Sequence, residues 1–113
     1  MANVFKLKTK SGVTSASTIY TVPSTTPDTT TILIGLTLAN VHATANAEVS
    51  VQITTASTSG ENADNPWIVK SIPLPVKSTI ELIEGKVVMN EGDAIAVTSD
   101  QTVDVALSIL EQS

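Results

Sequence analysis

From position 103 to 109 every second residue is aliphatic: Val103, Val105, Leu107 and Ile109 alternate with Asp104, Ala106 and Ser108. A β-strand turns successive side chains to opposite sides, so this spacing predicts a strand with one buried face and one that tolerates polar groups. The same period of two recurs where Val49, Val51 and Ile53 alternate with Ser50, Gln52 and Thr54, and where Ile32, Ile34, Leu36 and Leu38 alternate with Leu33, Gly35, Thr37 and Ala39. Composition agrees, because the chain is crowded with Thr, Val, Ile and Ser, whose β-branched members fit a pleated surface better than a helix. The pattern predicts about nine short strands, near 4–8, 18–22, 30–40, 47–54, 67–72, 78–83, 86–89, 94–99 and 102–110. Turn chemistry separates them: Pro23 and Pro27, the glycines of Glu84-Gly85-Lys86 and Glu91-Gly92-Asp93, and the polar reversal Ser99-Asp100-Gln101. Such regular punctuation predicts an all-β chain folded as an antiparallel β-sandwich, either jelly-roll or Ig-like.

A chain of 113 residues is the size of one domain, so 1–113 is expected to be a single sandwich, with 1–10 as an N-terminal arm. There is no cysteine, which removes disulfides, thiolate catalysis and cysteine-based metal sites together. Behind Lys6 there is no apolar run of the kind a secretory signal needs, and Gly35, Thr37 and Asn40 interrupt the most apolar stretch, 32–41. A soluble protein without a membrane partner is the expectation. Six basic against eleven acidic residues give a net charge of −5, the wrong sign for neutralising phosphates, so nucleic acid is not an expected partner. The polar stretch 56–65 is expected to be an exposed loop between two strands. Pro73-Leu74-Pro75-Val76 is expected to stop a ladder and carry the chain from one sheet to the other.

Chemistry-bearing patterns are missing. His42 is the single histidine, so no two-histidine metal site forms within one chain, and its surroundings predict a solvent-facing residue at a strand end. No G-x-S-x-G elbow surrounds a serine, and the five glycines are too widely spaced for a phosphate cradle. Asp93, Asp100 and Asp104 lie near turns but follow no calcium-loop spacing, and nothing around Glu81 and Glu84 suggests a catalytic acid pair. The sequence is therefore read as non-enzymatic, with no catalytic, cofactor-binding or metal-binding residue and no cofactor.

One Trp, one Tyr and one Phe are too few for a sugar- or base-stacking platform. Trp67 opens the apolar run Trp67-Ile68-Val69, and Val4 and Phe5 lie in the first strand. Each of these three either packs in the core or at its edge, or anchors a partner, and Val4, Phe5 and Trp67 are the candidate interface residues.

Several runs also carry a family resemblance: Ile19-Tyr20-Thr21-Val22-Pro23, Thr31 through Val41, Trp67-Ile68-Val69-Lys70-Ser71-Ile72-Pro73-Leu74-Pro75, Ser78 through Lys86, Glu91-Gly92-Asp93-Ala94-Ile95, and Val103 through Glu111. Together they resemble a family of small virion structural proteins of tailed bacteriophages, notably those of marine and cyanobacterial hosts. The resemblance spans nearly the whole chain and consists of strands and turns. It implies a non-enzymatic virion component assembled in the host cytoplasm, foremost a capsid decoration or cement protein. Such a protein binds the major capsid protein as a homo-oligomer, such as a trimer, across joints between capsomers. The alternatives are a neck, tail or tail-fibre component, or an adhesin-like receptor-binding module.

Overall fold

The computed structural model describes residues 3–23, 29–55, 65–83 and 87–112; the turns expected at 84–86 and after Pro23 and nearly all of the loop expected over 56–65 lie outside the described residues. The described residues form nine strands and no helix: β1 (Asn3–Val13), β2 (Ser17–Thr21), β3 (Thr30–Asn40), β4 (Ala47–Thr54), β5 (Trp67–Leu74), β6 (Thr79–Glu81), β7 (Val87–Met89), β8 (Ala94–Ser99) and β9 (Val103–Gln112).

They make two antiparallel sheets. One runs β1-β9-β3-β6 with β7 also on β3, and the other runs β2-β8-β4-β5. The pairing is nested: β4 with β5, β3 with β6 and β7, β2 with β8, and β1 with β9. A chain wrapped as one long folded hairpin gives this order, which is that of a jelly roll and not of the Ig sandwich. β6 and β7 together fill the place of one edge strand. They pair with opposite ends of β3, at Thr37 to Ala39 and at Thr31 to Leu33, and the Leu82 N–H continues the ladder to the Leu36 carbonyl at 2.9 Å.

The core lies between the sheets. Val103, Val105, Leu107 and Ile109 of β9 and Leu33, Leu36 and Leu38 of β3 face Val49, Val51, Ile53, Ile95 and Val97. The alternation expected of β3 does not run through unbroken. A register shift between Leu33 and Gly35 adds one residue to the strand, so Leu33 points inward before it and Leu36 and Leu38 after it. Ile32 and Ile34 are left on the other side. The bulge re-aims two isoleucines that the sequence pattern groups with the core.

β5 also departs from expectation. Pro73 sits in the ladder opposite Glu48, and the strand ends only at Leu74. It is tolerated because β5 is the last strand of its sheet, where a missing N–H needs no partner. The crossing to the other sheet follows at once, closed by Ser78 N–H to Pro75 O (3.1 Å) and Asn40 N–H to Ser78 O (2.9 Å).

Asn40 ends β3 as a buried amide. Its Nδ2 donates to the carbonyls of Ala45 and Leu74, both at 3.0 Å, and its Oδ1 accepts the His42 N–H at 2.9 Å. His42 in turn accepts the N–H groups of Thr44 (3.1 Å) and Ala45 (2.9 Å) on Nδ1. It is a half-buried cap of the corner between β3 and β4, not the solvent-facing residue expected.

Removing the Asn40 amide orphans the buried Leu74 carbonyl and the half-buried Ala45 carbonyl, so Asn40→Ala should lower stability by about 1–3 kcal/mol in urea denaturation. Leu107→Ala, which empties the centre of the most buried ladder, should cost about 2–5 kcal/mol.

Candidate interaction surface

Residues directly opposite on neighbouring strands share a side of the sheet. Phe5 pairs with Leu110, Leu110 with Ile32, and Ile32 with Val88. These four side chains form a row across β1, β9, β3 and β7 on the outer face of the larger sheet. Phe5 is 74% exposed and Val88 59%, and Leu7 (64%) and Ile34 widen the row on either side of Ser108. A contiguous apolar patch on a sheet face marks a binding surface far more often than scattered exposed side chains do. The outward charged residues of this face, among the described strands, are Asp104 and Glu81. Both are already engaged: Asp104 Oδ1 accepts Gly12 N–H at 2.9 Å, and Glu81 accepts Leu36 N–H at 2.6 Å and Thr37 Oγ1 at 2.7 Å.

The three residues expected at an interface are not brought together. Phe5 belongs to the outer row. Val4, paired with Glu111, points to the inner side of β1 at the open rim of the sandwich and is 43% exposed. Trp67 lies opposite Gln52 on the outer side of the other sheet, also 43% exposed, with Lys70 Nζ 5.1 Å from its ring centroid. The segment expected as an N-terminal arm is, from Asn3 on, edge strand β1, paired with β9 of its own chain. Leu7, Ile32, Ile34, Val88 and Leu110 escape sequence reasoning. A signal for them exists in the consecutive apolar triplet Ile32-Leu33-Ile34, since a strand apolar on both sides needs two surfaces to cover it.

On the inner side of the same rim lies a polar cluster. Tyr20 Oη donates to Glu111 Oε2 and shares a 2.9 Å hydrogen bond with Thr31 Oγ1. Lys6 Nζ stands 2.7 Å from Glu111 Oε1, and Lys8 Nζ lies 5.7 Å from the Tyr20 ring centroid. Four strands of both sheets are tied here. Burial, with Glu111 beside it, pushes the Tyr20 phenol up to about 12. Hydrogen bonds from Lys6 and Tyr20 hold the Glu111 carboxyl below its ordinary value.

The remaining acids cap backbone at separate corners. Asp93, which is buried, accepts Asn90 N–H on Oδ2 at 3.0 Å, and Asp100 Oδ1 accepts Glu48 N–H at 2.8 Å. With Asp104 on Gly12, the three turn aspartates occupy three different places, and no group of three or more metal-ligating side chains forms among the described residues. The hollow lined by Thr9, Lys10, Ser11, Asp104 and Val105 is open, and its carboxylate already accepts the Gly12 N–H.

No family model matches the sequence, and no curated protein matches it. Among solved structures the chain is similar to one described as "Bacillus endospore appendages form a novel family of disulfide-linked pili", at 9% identity and a TM-score of 0.48, covering 99% of this chain and 87% of that one. Likeness of that degree bears on neither function nor assembly.

The rim cluster predicts a two-sided pH dependence of stability. Glu111 is lowered, so its contribution is complete above the ordinary value of 4.5 and is lost as pH falls through its depressed pKa. Tyr20 is raised, so its contribution is complete below 10.0 and is lost as pH rises toward about 12. Urea midpoints measured across pH should fall on both limbs, and Glu111→Gln should flatten the acid limb.

Proposed function

We propose that this chain is a non-enzymatic structural component of a tailed-phage virion, a decoration protein that stabilises the head by laying the outer face of its larger sheet against the capsid lattice. The row Phe5-Leu110-Ile32-Val88 carries this reading. A face four strands wide and about ten residues long offers roughly 600 Å² at ~4.8 Å per strand and ~3.3 Å per residue. Each partner in a standard protein interface buries about 800 Å². A largely uncharged face lets a chain of net charge −5 meet a neighbour without setting acid against acid. The resemblance of the sequence to small phage virion proteins supports the same reading. The partner is the major capsid protein, and the chain binds as a homo-oligomer.

The test is electron cryo-microscopy of virions made in cells that express the chain, with its native mass measured in parallel. Density on the head exterior, with Phe5 and Val88 buried against neighbours, is the expected outcome. Phe5→Asp should lower occupancy on the particle by about tenfold, the equivalent of 1.4 kcal/mol, while leaving the urea midpoint of the free chain unchanged. A monomer that binds no particle would overturn the reading, and density confined to the neck, tail or fibres would move the function to attachment.

A further inference from the structure

Four edges end the two sheets, and three of them are blunted. β2 has five residues and a register shift between Thr18 and Tyr20. β5 carries two register shifts, Pro73, and Ser71 in the left-handed region at φ 54°, its N–H bonded to Ser50 Oγ at 2.8 Å. β6 and β7 are three residues each. These are recognised ways of denying a sheet edge to another strand. β1 differs. From Asn3 to Lys10 it pairs with β9 in unbroken register, contains no proline and is exposed almost throughout. Among the described strands nothing pairs with its other edge.

The two sides of β1 are chemically distinct. Phe5, Leu7 and Thr9 stand on the outer side, while Lys6, Lys8 and Lys10 stand on the inner side, opposite Ile109, Leu107 and Val105. Three of the six basic residues of an acidic chain are thus spaced two apart along one free edge. A second copy of this strand is a poor occupant, because antiparallel pairing of β1 with itself would bring lysines against lysines. The same row suits a strand with carboxylates at alternate positions. Lys6 Nζ stands beside Glu111 and Lys8 Nζ over the Tyr20 ring, which holds both ammonium groups on the inner side of the strand.

We propose that β1 is the docking edge for an extended segment of a partner protein, added antiparallel or parallel to the sheet, in which acidic residues at every second position face Lys6, Lys8 and Lys10 and the intervening apolar residues lengthen the row begun by Phe5 and Leu7. Main-chain hydrogen bonds hold the segment, and the lysine row selects it. The inference stands on the edge and its charge, and it does not require the virion reading.

The test uses the isotope-labelled full chain and two end-blocked peptides, Glu-Val-Glu-Thr-Glu-Val-Glu and Lys-Val-Lys-Thr-Lys-Val-Lys, followed by NMR titration and amide exchange. The acidic peptide should shift and protect the amides of 4–10 and the lysine peptide should not, with binding weakening as salt rises from about 0.05 to about 0.5 M. Lys8→Glu with Lys10→Glu should weaken the acidic peptide by about tenfold or more and admit the lysine peptide. Lys10→Glu alone, at the far end from the Tyr20 cluster, should do the same to a smaller degree should the double variant not fold. Absence of β1 shifts with the acidic peptide, equal binding of both peptides, or tighter binding of a single-stranded oligonucleotide at the same lysines would overturn the proposal. Since no particle enters the assay, its result is separate from that of the virion test.

Discussion

Leu107 of β9 lies opposite Leu36 of β3, flanked by Val105 opposite Leu38 and Ile109 opposite Leu33, and none of the six side chains is more than 3% exposed. β9 is held on its other side by β1, so this ladder also sets the register of the first strand. Because side chains alternate, whatever β9 sends inward decides what its neighbours send outward. Leu110, one step past Ile109, must point out, and with it Ile32 and Phe5. The apolar face is thus a direct consequence of the core ladder. The bulge near Ile34 keeps Leu36 and Leu38 in the core and leaves Ile34 beside the row. Glu81 accepts the Leu36 N–H just past the bulge, which otherwise leaves the ladder there incomplete.

Polar groups in this fold are spent on corners. Asn40 joins the ends of β3 and β5 to the following loop, Asp93 closes the turn after β7, and Tyr20 with Glu111 ties the rim. At the turn after β7, Gly92 adopts φ 82° and donates to the Val22 carbonyl at 3.0 Å, a conformation that favours a residue without Cβ. Each of these groups has hydrogen bonds committed to backbone or to a neighbouring strand. The larger sheet presents an apolar outer face and, among the described strands, an unpaired edge at β1 that carries Lys6, Lys8 and Lys10.

Much of this was legible in the chain. The strands at 30–40, 47–54 and 94–99 have the bounds expected of them, because alternation and turn residues agree at both ends. β1 was underestimated, since Thr9, Lys10, Ser11 and Gly12 have no apolar alternation and are strand only because β9 lies beside them. Pro73 misled for the same reason, as its tolerance depends on β5 being an edge. For Trp67 and Phe5 the sequence leaves core packing and a partner interface both open; the structure exposes them by 43% and 74% on opposite faces of the sandwich, a separation not visible in a linear string.

The sequence by itself determined the class of fold and the inward side of most strands, because a period of two is a local property that every strand carries with it. Only the tertiary structure decided which strands are neighbours, and hence the jelly-roll order, the phase change in β3, the assembly of Phe5, Leu110, Ile32 and Val88 into one row, and the freedom of one edge. The physical reason is that alternation specifies a face but not a partner. Partners come from the nested pairing of residues at opposite ends of the chain.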